Sequence, residues 1–462
     1  MPESIDRSLK FLALATIVLI ATAGVYAARG MYSDGSFWLV EMLPRGGFYI
    51  FDPHRAYVQV LVQAPVALAI WLGTLDLNLL IRLHSFGFVG VPIIFWLGAL
   101  ILQFRTRLFW FFLMAFTVSY LRSNFFSAGE FSTAYGLTAF CAAVLLREKI
   151  SHLQALLMIL TGIVLTHSYE ATLFLGLFLA AVAVVRLVRV SDDQKSIRGF
   201  IFFTTIIFLA SAYVGGYSTF FQRCYDGKGA ANLSALAEIH LLYLMAVPAL
   251  LALLCTEYCR RIKYWLAIAA LIFVSLYSLY VFRWDQSNIS YGYFSYAYRA
   301  LCCFLLMGVL ILATASRFWP KVLNVDLKPA LTSSLLAICA MAFFLSMAWL
   351  MLYHTNGYYM WAQRFEQEAI ALKKHTPIDQ TGINTNHGWT YGYNWMWGNP
   401  STSILLRGNA EALILNNSNH KGPEPGGYEN VKSNDAVLPM DRSKFEAYPI
   451  QPFEKRGLLF IR

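Results

Sequence analysis

Apolar stretches separated by short polar joints recur along almost the whole chain. Stretches 11–28, 93–103, 155–166 and 173–185 contain no charged side chain. A helix of roughly 20 such residues crosses the hydrocarbon layer of a bilayer. The pattern predicts an all-α polytopic membrane protein with about 11 transmembrane helices. They fall near residues 9–29, 79–103, 107–122, 131–147, 152–168, 171–190, 199–219, 236–256, 261–282, 297–316 and 329–352. The first stretch is long enough to span and others follow it, so it reads as a helix of the protein rather than a cleaved signal.

Two segments break the pattern. Residues 36–43 have mixed polarity and predict a short helix lying in the membrane interface. Residues 55–73 are apolar but carry Gln59, Gln63 and Pro65 and end at Gly73. Counting them as a span would reverse the parity of everything downstream. They are expected as a second interfacial or re-entrant helix within a first outer loop, residues 30–78. From about Asn356 the chain becomes polar and rich in Asn, Gly, Trp and Pro, with alternating runs near 403–406 and 412–415. The expected division is a membrane domain, 1–355, and a small C-terminal extramembrane α/β module, 356–462.

Composition agrees: 58% of residues are hydrophobic and 13% charged, outside the range of a soluble domain. The net charge of +10 forms no basic stripe, which argues against a nucleic-acid partner. It reads instead as topology. With a cytoplasmic N-terminus, about 16 basic residues fall in short inside segments, from Arg7 and Lys10 to Arg317, Lys321 and Lys328, against roughly 8 in the opposing loops. An odd number of spans then puts the C-terminus outside, and the localisation expected is a multi-pass inner or plasma membrane protein. Seven cysteines, most in or beside apolar spans, form no disulfide framework and no zinc signature.

That topology collects the polar residues that face away from the cytoplasm. The first loop holds Asp34, Glu41, Asp52, His54 and Arg55, and the second holds Arg122 and Glu130. His167 and Glu170 lie in the third, and Arg283, Asp285 and Arg299 in the fifth, with Tyr291, Tyr293, Tyr296 and Tyr298. Transfer from a membrane-anchored donor to a hydroxyl needs a carboxylate to take the acceptor proton. A phosphate leaving group needs Arg or Lys to neutralise developing charge. Plainer roles compete. Asp34 can be a solvated helix-end residue, Asp52-Pro53 an Asx turn capping a helix, and the tyrosines an interfacial belt. His167 and Glu170 can simply satisfy each other in a tight hairpin, and Arg82 and His84 can snorkel at a span end.

Asp34 after the first span, the two interfacial segments, and Gly73-Thr-Leu-Asp-Leu-Asn-Leu-Leu-Ile-Arg82-Leu leading into the second span together resemble the GT-C superfamily of integral-membrane glycosyltransferases. The likeness is to the branch with protein O-mannosyltransferases and aminoarabinose lipid A transferases, and covers roughly residues 1–105 in pattern. The resemblance implies inverting transfer of a sugar from a polyprenyl-phosphate-linked donor to an envelope glycan or lipid acceptor at the outer face of the bilayer. It implies Asp34 as general base and no cofactor or metal. The branch's usual Asp-Glu pair is here Asp34-Gly35, so the second carboxylate falls to Asp52, with Glu130 the other candidate. Substrate contacts fall to His54, Arg55, Arg122, Glu130, His167, Glu170, Arg283 and Arg299. Two other readings stand beside it: an O-antigen ligase or polymerase, and a lipid-linked sugar flippase or other transporter. The first expects its largest outer loop between late spans; the second expects charges at mid-membrane and inverted repeats.

Overall fold

The computed structural model describes residues 2–32, 34–121, 130–190, 194–221, 296–319 and 329–371, with short pieces at 375–377, 401–402, 405 and 414–416. The described chain is mostly helical. In order run α1 (Glu3–Tyr26), α2 (Asp34–Arg45), α3 (Ala56–Trp71), α4 (Leu77–Ser85), α5 (Val91–Leu102) and α6 (Leu108–Phe116). Then come α7 (Glu130–Leu145), α8 (His152–Thr166), α9 (Thr172–Val188), α10 (Lys195–Phe221), α11 (Tyr296–Phe318) and α12 (Pro329–Ala371). Two three-residue strands, His375–Pro377 and Ile414–Asn416, pair in parallel. The spans expected at 236–256 and 261–282 lie outside the described residues, as do Arg122, Arg283, Asp285 and the tyrosines Tyr291 and Tyr293.

Among the described residues four helices are long and apolar enough to cross a membrane: Glu3–Tyr26, Leu77–Leu102, Lys195–Phe220 and Leu336–Gln367. Shorter apolar helices pack among them. Apolar side chains lie outside as well as inside the bundle. On α1, Ala13, Ile17 and Ile20 are buried while Phe11, Leu12, Val18 and Leu19 are exposed. On α8, Leu153, Leu156, Leu157, Leu160 and Ile163 form an exposed stripe at helical spacing. Such continuous outward apolar surface suits a lipid solvent rather than water. By contrast α7, apolar on every side, is buried along nearly its whole length and forms the centre of the bundle.

Lipid tails are as apolar as leucine, so helices in a bilayer are held by close packing and polar contacts more than by hydrophobic burial. Both devices occur. Between α4 and α5 the helix widens into a π turn, Phe86–Gly90, where Gly87 meets α3. A Cβ at Gly87 would come 1.8 Å from the Val62 carbonyl oxygen, so only glycine fits. The Tyr120 hydroxyl, in a second π turn at Thr117–Leu121, donates to the Val89 carbonyl at 3.0 Å. It thereby caps a carbonyl that the widened helix exposes.

The first loop is compact. Ala28 adopts a left-handed conformation (φ 56°), which ends α1 and turns the chain into the short 3-10 turn Arg29–Met31. The expected interfacial segments appear as α2 and α3, and the expected span 79–103 as α4, its π turn and α5. α12 is longer than expected. Its 43 residues reach about 65 Å at the α-helical rise, so the compositional change at Asn356 falls inside a continuous helix. The added turns bury Tyr358, Trp361 and Phe365 against Met31, Tyr32, Leu77 and Leu80.

Basic residues gather at one end. Lys10 pairs with Asp6 (2.7 Å) and donates to the carbonyls of Phe104 and Thr106, and Trp110 donates to Asp6. Arg147 caps the last carbonyl of α5 at Leu102 (2.9 Å), Arg186 bonds the Glu148 carbonyl (2.6 Å), and Arg317 pairs with the Glu148 carboxylate (3.1 Å). Arginines on C-terminal carbonyls satisfy both the orphan acceptors and the helix dipole. These are the same residues whose sequence positions assigned them to one side.

Candidate functional site

At the opposite end of α7 lies a buried polar cluster centred on Arg55. Its construction starts with Asp52, which accepts from the His54 backbone N–H at 2.9 Å and caps the short turn Pro53–Arg55. Proline at the first position of that turn costs no hydrogen bond. The turn leads directly into α3. Gln59 and Gln63 follow Arg55 at successive four-residue steps, so all three lie on one face of the helix. Gln63 bonds both backbone groups of Tyr49 (2.9 and 2.8 Å), and Gln59 accepts from the N–H groups of Phe51 and Asp52. Two glutamines thus pin the extended segment that delivers Asp52.

Three carboxylates converge on the Arg55 guanidinium. Glu170 Oε1 receives both Nε (3.2 Å) and Nη2 (2.5 Å); Glu130 lies at 3.5 Å and Asp52 at 3.6 Å. The Tyr169 ring lies beneath the guanidinium at 5.0 Å from its centroid. Gln59 closes the group by donating to Glu130 at 3.0 Å. Asp52, Arg55 and Glu130 are all buried and Gln59 fully so, while Glu170 is partly open. The other Glu170 oxygen, Oε2, is buried without a hydrogen-bond partner among the described residues. Among the described residues the cluster therefore sets three carboxylates against one guanidinium, with one carboxylate oxygen not hydrogen-bonded.

The cluster joins three segments far apart in the chain: the first loop, the start of α7 and the α8–α9 turn. His167 strengthens the join. Its carbonyl accepts from the N–H groups of Tyr57 and Val58, and its ring packs on Tyr57 at 4.7 Å. His54 reaches the end of α10 by packing near Tyr217. His167 and Glu170 thus engage the first loop rather than each other. Arg55, a residue expected to meet substrate, is engaged here by carboxylates.

Asp34 is the first residue of α2; its side chain, like that of Arg299 in α11, lies outside the described atoms. The turn carrying it is fastened from two sides. His84 Nε2 stands 2.8 Å from the Gly35 carbonyl, a contact that needs the ring proton on that nitrogen. Thr402 donates to the Ser36 hydroxyl at 3.0 Å, and Ser85 accepts from the Gly30 N–H at 3.1 Å. His84 does not snorkel: it is fully buried, because α4 turns that face toward α2 rather than the surface. Arg82 does reach outward, over the Tyr26 ring at 5.4 Å.

Sequence reading overlooked Gln59, Tyr169 and His84 as parts of a site. The repeat Arg55-x3-Gln59-x3-Gln63 carried a usable signal, since three polar residues on one face of an apolar helix demand a polar neighbour. Tyr169 had none, because its role depends on where Arg55 comes to rest. Among the described residues no group of His, Cys, Asp and Glu is arranged to hold a metal ion. No protein-family model, curated protein or solved structure matches the chain.

Proposed function

We propose that the chain is a GT-C type membrane glycosyltransferase. It moves a sugar from a polyprenyl-phosphate-linked donor to an envelope glycan or lipid acceptor. The observation that carries this reading is the Arg55 junction, which gathers the first three polar loops, the first of them the loop that carries Asp34, at one end of the bundle. The finer topology belongs to the same proposal: about eleven spans, a cytoplasmic N-terminus and an extracytoplasmic α/β module after residue 355. The gathering of Lys10, Arg147, Arg186 and Arg317 at the other end supports that orientation. The buried Thr402–Ser36 contact, which docks the C-terminal segment on α2, supports a module on the acidic side.

In the proposed reaction the acceptor hydroxyl attacks the anomeric carbon from the face opposite the phosphate. Asp34 takes the hydroxyl proton, the new C–O bond forms as the bond to phosphate oxygen breaks, and polyprenyl phosphate leaves with configuration inverted. Asp52 acts as a positioning residue, since its carboxylate is engaged by the His54 N–H and by Arg55. The same engagement of Arg55 favours Arg122, Arg283, Arg299 and His167 for the donor phosphate. Charges at helix ends rather than mid-helix favour an enzyme over a transporter.

The test is purified protein with radiolabelled polyprenyl-phosphate sugar and lipid acceptor. Wild type releases polyprenyl phosphate in step with labelled acceptor. Asp34→Asn, inserted and folded normally, is expected to lose at least about 100-fold in rate, the usual contribution of a general base. Wild-type turnover in that variant removes Asp34 as base; label crossing the bilayer with no phosphate product removes the enzyme reading.

A further inference from the structure

The basic end of the bundle encloses a cavity of about 1120 Å³, far from the Arg55 cluster. About 22 Å of helix separates the two ends, the length of α7. The cavity is bounded by α1, the α5–α6 joint, the end of α7 and the end of α11. Four guanidinium groups line it, those of Arg105, Arg107, Arg147 and Arg317, against one carboxylate, Glu148. Arg317 is paired with Glu148, and Arg147 is spent on the carbonyls of Leu102 and Lys149. Arg105 and Arg107 are exposed, and neither guanidinium has a hydrogen-bond or ion-pair partner among the described residues.

One wall is apolar. Phe11 and Ile101 line the cavity and are also exposed on the bundle's flank, so the space opens sideways onto the surface that suits lipid. A soluble anion would use the arginines and leave that wall idle. A ligand with a phosphate diester and acyl chains uses both. Arginine pairs with phosphate bidentately, and the volume exceeds the roughly 300–1,000 Å³ that holds a drug-sized ligand.

We propose that this cavity is a binding site for an anionic phospholipid. Arg105 and Arg107 hold the headgroup phosphate, and the acyl chains leave past Phe11 and Ile101. The site is independent of Asp34 and of the transfer reaction.

The experiment is native mass spectrometry of the full chain in detergent, titrated with phosphatidylglycerol or phosphatidylcholine. Wild type is expected to retain phosphatidylglycerol in preference. The Arg105→Gln/Arg107→Gln double variant is expected to lose about 30-fold in its apparent affinity for phosphatidylglycerol, at two surface cations' worth of attraction. Arg105→Lys/Arg107→Lys keeps the charge but not the bidentate fork and is expected to recover about half of the lost affinity, which separates the site from a folding defect. Arg198→Gln, basic and exposed but outside the cavity, is expected to bind as wild type. Equal losses in the Arg198 variant, no loss in the double glutamine variant, or no preference for phosphatidylglycerol overturns the proposal. Inorganic phosphate binding as tightly as the lipid overturns the lipid assignment.

Discussion

Replacing Arg55 by Met is the most direct probe of the buried junction. Methionine keeps most of the side-chain length but strands three carboxylates, of which Asp52 and Glu130 are buried and Glu170 only partly open. Removing one partner of a buried ion pair costs about 3–5 kcal/mol, because the other charge stays desolvated. The expected loss is therefore about 4 kcal/mol. Arg55→Lys restores the charge but cannot fork between Glu170 and Glu130, and is expected to recover about half of it. Neutralising the closest acid in Arg55→Met/Glu170→Gln is expected to return about 2 kcal/mol, within the range of coupling for residues in contact. The assay is equilibrium unfolding in mixed dodecyl maltoside and SDS micelles, with each variant referred to wild type. If Arg55→Met stays within about 1 kcal/mol of wild type, or the glutamine gives no recovery, the junction does not hold these loops together.

Other expectations follow from single positions. Asp52→Asn keeps the cap and is expected to be near neutral in stability, whereas Asp52→Ala loses it and about 1 kcal/mol; if Asp52 only positions, the Asn variant also retains transfer activity. Gly87→Ala drives a methyl into the Val62 carbonyl and is expected to cost about 3 kcal/mol or more, read as lost folded yield, with a displaced α3. Gly199→Ala is the matched control: among the described residues nothing lies within 4 Å of its added methyl, and helix propensity predicts a gain of up to about 1 kcal/mol in the same unfolding assay.

Much of the helical architecture was legible before any coordinates. Long apolar runs bounded by charge mark α1, α4–α5 and α10 because a bilayer-length helix must be apolar over some twenty residues. The Asx cap at Asp52 was legible too, since Asp-Pro is a local signal. The end of α12 was not. Composition turns polar at Asn356, yet the helix continues because Tyr358, Trp361 and Phe365 bury against the first loop, a contact local propensity does not report.

For the site, charge alternation grouped Asp52, Arg55, Glu130, His167 and Glu170 on one side, and the structure brings them to one end of α7. It could not assign partners. His167 and Glu170 are close in sequence and looked self-sufficient; instead one grips α3 through its carbonyl and the other grips Arg55, 115 positions away. Likewise His84 reads as a span-end residue until packing turns it inward onto Gly35.

The division has a physical basis. Solvation is a property of each segment, so sequence alone determined which stretches are apolar, where helices start and which charges share an end. Pairing is a property of distance between segments. Only the tertiary structure decided that Arg55 answers three carboxylates, that Gly87 must have no side chain, and that two arginines at the far end stand beside an apolar-walled cavity without a partner among the described residues.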